Sequence, residues 1–191
     1  KYKGITINLF GGLIIFFILV ALRLPVLFNA DQLLGADEGI AAYQILDLLR
    51  GGPLFFYYDV GRYFGIVNGL AAIPFFWIFG IGGLAFKLPP ILFYALYVLS
   101  TYWIVRQVRP QAALTVVLLM IFTSPSIFWI TATNWGVCLI CLLGNLIFLS
   151  FIKVNETAGS NVLYTFLLGF FVGFAIYTFT YSIVFIGSII I

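Results

Sequence analysis

The chain is a succession of long apolar runs separated by short clusters of charge, proline and glycine. Runs bounded in this way, with no strict two-residue alternation, predict helices rather than strands. They fall at about 5–22, 64–86, 88–105, 111–130, 135–152 and 162–191. Ser124-Pro125 predicts a kink inside the fourth. The polar patch Tyr177-Thr178-Phe179-Thr180-Tyr181-Ser182 predicts that the last run forms two short helices or one interrupted helix. The run 64–86 holds Gly65, Gly69, Pro74, Gly80, Gly82 and Gly83, and makes a poor continuous helix. Between the first two runs, Ala36 to Arg50 has a different pattern. At 100° per residue Ala41, Ala42, Ile45, Leu46, Leu48 and Leu49 share an arc, with Gln44, Asp47 and Arg50 off it. This predicts a short amphipathic helix lying on a membrane surface, ended by Gly51-Gly52-Pro53.

Composition turns these helices into membrane helices. Of 191 residues 64% are hydrophobic and 8% charged, and the mean hydropathy is +1.20. A soluble domain is nearer half apolar and a quarter charged, and a chain of this size cannot hide the excess from water. In lipid the backbone must satisfy itself, so the expected fold is all-α: a polytopic membrane helix bundle with a juxtamembrane amphipathic helix in the first outer loop. That loop is taken as 23–87 and its helix as about 36–50. The 22 Phe, 11 Tyr and 4 Trp suit lipid-facing surfaces and interfacial belts. Residues 1–191 read as a single transmembrane domain, the N-terminal part of a longer chain, since Lys1 opens it and Ile191 closes it within an apolar run.

Basic residues choose the topology. If 64–86 crosses the membrane, Arg23, Arg50, Arg62, Arg106, Arg109 and Lys153 gather on the outer side, against the positive-inside bias. If it lies along the interface, or dips in and returns, Lys1, Lys3, Arg106, Arg109 and Lys153 gather on short cytoplasmic segments. The second arrangement is adopted, with a multi-pass protein of the bacterial inner membrane preferred over the endoplasmic reticulum. The chain has no His, which removes His bases and His metal ligands. Cys138 and Cys141 form a C-x-x-C inside an apolar run and read as two buried small hydrophobes. A scattered net charge of +3 gives no footprint for nucleic acid.

The acids are Asp31, Asp37, Glu38, Asp47, Asp59 and Glu156, and five of the six lie between 31 and 59. Taken singly, Asp31, Asp47 and Asp59 read as loop charges. Asp37-Glu38 heads the predicted surface helix and has two readings. It is either an N-terminal pair that complements the helix dipole, or a carboxylate at the lipid–water boundary serving as general base or as ligand to a hard divalent cation such as Mg or Mn. A second polar group, Thr131-Ala132-Thr133-Asn134-Trp135, is expected on the same outer face, both groups lining one cavity. Gly169-x-x-x-Gly173 reads as a small-residue helix contact. Asn155-Glu156-Thr157 matches a glycosylation acceptor but falls in an expected cytoplasmic loop, where it would stay unmodified.

The segment A-D-E-G-I-A-A-Y-Q-I-L-D-L-L-R-G-G-P-L-F-F-Y-Y, Ala36 to Tyr58, resembles the first outer loop of the GT-C glycosyltransferases. These are polytopic enzymes related to protein O-mannosyltransferases and aminoarabinose transferases. Weaker similarity lies in Arg106 to Arg109, Thr123-Ser124-Pro125 and Gly173 to Tyr181. The resemblance implies transfer of a sugar from a polyprenyl-phosphate donor to an acceptor at the non-cytoplasmic face. It makes Asp37 the catalytic base or metal-linked acid. On this reading Glu38 orients Asp37 or helps hold a cation. Arg62, with Tyr57 and Tyr58, contacts the donor phosphate, since guanidinium and phosphate pair in a fork. Relatives often carry Asp near the place of Asn134, and a neutral amide cannot be a base. That difference motivates an alternative, a non-catalytic membrane subunit of a larger complex that keeps the fold, with other membrane subunits as partners beside lipid. A third reading, a small-solute transporter, draws on the interrupted run 162–191, but no clear span carries a charged group at mid-depth.

Overall fold

Breakers cut the apolar runs into helices of unequal length. The computed structural model describes residues 9–59, 61–122, 124–183 and 186–187, over which the chain is mostly helical. Helix α1 (Leu9–Leu22) stops at Arg23, and Pro25 opens α2 (Leu24–Phe28). A 3-10 turn, Ala30–Leu33, leads to α3 (Ala36–Leu49), which matches the predicted surface helix within a residue. A two-stranded antiparallel hairpin follows, β1 (Tyr57–Tyr58) and β2 (Gly61–Gly65), an exception to the all-α expectation. The glycine-rich run 64–86 forms no continuous helix. It supplies the end of β2, then α4 (Val67–Leu70) and α5 (Ile73–Phe79), and breaks at Gly80-Ile81-Gly82.

The remaining helices are α6 (Gly83–Val108), α7 (Ala113–Ile121), α8 (Pro125–Ile130), α9 (Val137–Glu156) and α10 (Val162–Thr178). Of these, α6 and α9 are long and apolar enough to cross a membrane. The predicted kink is a full break: α7 ends at Ile121, and the Ser124 hydroxyl accepts from the Ile127 N–H to start α8 on Pro125. The predicted interruption after α10 is a 3-10 turn, Thr180–Ser182. The run expected at 88–105 is longer than foreseen, because α6 starts at Gly83 and takes Lys87 and Pro89-Pro90 inside it. A Cβ on Gly83 would come within 2.8 Å of the Ala30 carbonyl carbon and the Asp31 nitrogen, so only glycine allows the turn before α3 to approach this closely. There the Gly83 N–H donates to Asp31 Oδ1 at 2.6 Å, satisfying one orphan donor at the head of α6.

Helices α6 and α9 start at the same end: the Asn134 amide, just before α9, donates to the Phe86 carbonyl in the first turn of α6. They are joined midway by Asn145, whose Nδ2 donates to Ser100 Oγ and Thr101 Oγ1, both at 2.8 Å, and to the Tyr97 carbonyl at 3.3 Å. Three apolar clusters fill the interior. One lies under α3 and the hairpin, with Ile45, Tyr58, Ile66, Phe76 and Phe86. A second joins α1, α6, α7 and α9 through Leu19, Tyr94, Val98, Val117 and Cys138, and a third joins α9 to α10 through Leu143, Ile147 and Ala175.

Two packing expectations are corrected. The buried face of α3 is Glu38, Ala41, Gln44 and Ile45, so Gln44 lies inside while Ile40, Tyr43 and Leu49 are exposed. The reason is a hydrogen bond: Gln44 Oε1 accepts from the Asp59 N–H at 3.1 Å and ties the hairpin turn to the helix. Gly169 and Gly173 do not mediate a contact within the chain, because a Cβ on either would meet nothing within 4 Å. They lie on an outer face with Phe166 and Phe170.

Replacing Asn145 by Ala should lower stability by about 1 kcal/mol, the worth of an interhelical hydrogen-bond clamp. Gly169→Ala should cost nothing, having open space for its methyl group and a better helix former in place of glycine. Unfolding in detergent titrated with denaturant, run on both variants, checks the contrast.

Candidate functional site

The end of the molecule where α6 and α9 begin collects most of its polar chemistry. Glu38 occupies the third position of α3, and its carboxylate reaches back to accept from the Gly35 N–H at 3.2 Å. The same carboxylate receives Lys87 Nζ at 3.0 Å on Oε1 and 2.9 Å on Oε2, and the Asn134 N–H at 2.8 Å on Oε1. Its four acceptor positions are thus filled, and both Glu38 and Lys87 are 1% exposed. Lys87 also donates to the Ala132 carbonyl at 3.4 Å and lies 5.9 Å from the centre of the Trp129 ring. Segments far apart in sequence therefore close on one buried ion pair.

Asp37 is adjacent in sequence but differently placed. Its side chain is exposed, and among the described residues no hydrogen bond or ion pair engages its carboxylate. Of the Asp-Glu couple, one acid is locked and the other is free. This bears on a divalent cation. Hard cations gather several oxygen ligands, and with Glu38 committed only Asp37 of the two remains available. Among the described residues no group of three or more Cys, Asp or Glu side chains gathers around one point.

The first and second polar groups are brought together, as expected, but in closed contact rather than around an open cavity. Asn134 is 1% exposed; its Nδ2 donates to the Phe86 carbonyl at 2.9 Å, while its Oδ1 has no partner. Thr131 and Thr133 are also buried, and Trp135 is exposed. Among the described residues a cavity of about 450 Å³ lies at the far end of α6 and α9, lined by Ile104, Val108, Phe148, Ile152 and Glu156. At 1.5 Å per residue, the stretch of α6 from Lys87 to Gln107 puts it roughly 30 Å away.

The remaining predicted residues separate. Tyr57 is exposed and meets Tyr177 edge-on at 5.7 Å between ring centres. Tyr58 is a core residue whose hydroxyl donates to the Ile66 carbonyl at 3.4 Å; burial pushes its phenol far above the ordinary range, so it stays neutral. It turns into the protein, so the phosphate contact expected of it is corrected. Arg62 belongs to β2, but its side chain lies outside the described residues.

One site residue was not foreseen from the sequence. Arg23 is 2% exposed, and its guanidinium lies 3.8 Å from the Phe128 ring centre and 4.6 Å from that of Tyr94. Nη2 donates to Thr131 Oγ1 at 2.9 Å, and Nε is buried without a partner. Among the described residues no carboxylate pairs with it. A charge directly after an apolar run was the available signal, but the run's end looked like an ordinary loop boundary.

No family model matches the chain, and neither a curated protein nor a solved structure matches it.

The geometry fixes what position 134 needs. An Asp there would point a carboxylate at the Phe86 carbonyl beside the Glu38 carboxylate. Asn134→Asp should therefore cost about 2 kcal/mol, more than Asn134→Ala, which removes the donor without adding repulsion. Thermal melts of the two variants in the same detergent check the order.

Proposed function

We propose that this chain belongs to a multi-pass membrane glycosyltransferase of the GT-C type, moving a sugar from a polyprenyl-phosphate donor to an acceptor hydroxyl outside the cytoplasm, in a bacterial inner membrane. The observation that carries the reading is the division within the first-loop acidic couple: an exposed, unengaged Asp37 beside a Glu38 held by four hydrogen bonds from three donor groups. General base catalysis needs a carboxylate with free acceptor positions on a fixed mount, and Asp37 has both.

In this reading Asp37 takes the proton from the acceptor hydroxyl. The acceptor oxygen forms its bond to the anomeric carbon as the bond from that carbon to the phosphate oxygen breaks. The electron pair leaves on the polyprenyl phosphate. Arg62 and Tyr57 contact the donor phosphate, and the polyprenyl chain follows the apolar helix faces. Support for a lipid setting comes from the outward residues Phe17, Phe28, Trp77, Ile78 and Phe122, each more than 60% exposed. An apolar surface of that extent on a chain this size matches a bilayer better than water.

The alternative, a non-catalytic subunit that keeps the fold, has one observation in its favour. The outward Gly169 and Gly173 offer a smooth helix face of the kind that packs against another membrane helix. The two readings part on one variant. Asp37→Asn should reduce transfer by about 100-fold or more. It should leave insertion and melting unchanged, because the side chain supports nothing else. The assay is transfer from a labelled polyprenyl-phosphate sugar in membranes carrying the chain. Undiminished transfer in Asp37→Asn would end the catalytic reading in favour of the subunit.

A further inference from the structure

Lys87 ties the first turn of α3 to the turn before α9: it donates to both oxygens of Glu38 and to the Ala132 carbonyl, which precedes Thr133-Asn134. It stands near the start of α6, a helix anchored over its remaining length by packing against α1, α7 and α9. Glu38 stands in the first turn of α3, which is short and has an exposed outer side. The long helix is the fixed body and the short one is what needs holding. On α3, Asp37 heads the column that continues through Ala41 and Gln44, four and seven residues on. Both of those are buried. Asp37 thus stands at the head of a column whose next two members are buried, while its own side chain is exposed.

We propose that Lys87 is a positioning residue for the transfer reaction: by gripping Glu38 it fixes the first turn of α3 and so the direction in which Asp37 presents its carboxylate. The proposal rests on the reading of Asp37 as the base. It assigns Glu38 no contact with substrate and gives Lys87 a task that a mere core contact would not have. A rigid first turn matters because a displacement of about 1 Å at a reacting group can cost roughly 100-fold in rate.

The test compares Lys87→Met and Lys87→Arg in the full chain in membranes, with transfer from a labelled polyprenyl-phosphate sugar. Lys87→Met should lower kcat by about 100-fold while the donor KM moves less than about threefold. Lys87→Arg, which restores a buried cation able to pair with Glu38, should recover at least about tenfold of that loss. A second measurement needs no activity. With Cys138 and Cys141 replaced by Ala, Asp37→Cys is labelled by a membrane-impermeant maleimide. Its rate should change severalfold on adding Lys87→Met and return on adding Lys87→Arg. Where Lys87→Met does not accumulate, Lys87→Gln carries the same comparisons, its amide leaving Glu38 one donor without the charge. A kcat within about threefold of the parent, with an unchanged labelling rate, overturns the proposal. So does a folded Lys87→Arg chain as inactive as Lys87→Met whose position 37 is labelled at the parent rate, since Lys87 would then act on substrate itself. Full transfer by Asp37→Asn, with labelling still dependent on Lys87, would remove the base and leave the positioning device standing.

Discussion

A single buried ion pair, Lys87 with Glu38, determines how the short elements sit on the long ones. Taking an ammonium and a carboxylate out of water costs several kcal/mol each, and their attraction offsets this only when the remaining hydrogen-bonding capacity is also used. Here it is. Glu38 adds the Gly35 and Asn134 N–H groups to its two contacts from Lys87, and Lys87 adds the Ala132 carbonyl. These bonds come from the head of α3, from α6 and from the turn before α9, so the pair specifies the meeting of those three as well as being tolerated there. Arg23 shows the other way to bury a cation. It has no carboxylate among the described residues and relies on two aromatic faces and one threonine hydroxyl.

Charge is sorted along the long helices. The five acids between Asp31 and Asp59 belong to elements at the starting end of α6 and α9, while Arg106, Arg109 and Lys153 lie at or near the far ends of those helices. At the far end Lys153 meets Glu156 at 2.6 Å in a half-exposed pair of small energetic weight. On the topology expected from the basic residues, this acidic end is the one that faces away from the cytoplasm. The 450 Å³ cavity among the described residues lies at the opposite end from these acids and so stands apart from any chemistry at Asp37.

Local features of the sequence were legible and long-range ones were not. The limits of α3, the fragmentation of 64–86, the break at Pro125 and the interruption after Thr178 all follow from glycine, proline or polar residues acting on their own neighbours. Lys87 closes the outer loop expected at 23–87, and nothing in its neighbourhood along the chain points to Glu38, which lies 49 positions earlier. Gln44 was placed on the outer face because hydropathy counts an amide as solvated, whereas here the backbone of Asp59 satisfies half of it. The hairpin escaped for a related reason: a two-residue strand facing a glycine-bounded one carries no alternation to detect. Its place is set by Phe64 stacking on Phe179 and by the Tyr177 hydroxyl donating to the Phe56 carbonyl at 2.8 Å.

The adjacent acids also show why a short motif can hold two roles. Successive residues on a helix are 100° apart, so Asp37 and Glu38 cannot look into the same point. Glu38 shares its column with Ala41 and Ile45, three and seven residues on, both members of the apolar cluster under α3. Asp37 shares its column with Ala41 and Gln44, both buried, but is itself exposed. The difference is one of axial reach as much as of rotation. Side chains on a helix lean toward its N-terminus, which draws the shorter acid at the second position beyond the cover that the longer acid at the third still enjoys. An order of Glu then Asp would put the longer side chain in the open and leave the shorter one to span the gap to Lys87. The sequence order Asp-Glu is therefore the one that can lock the inner acid and leave the outer one unoccupied.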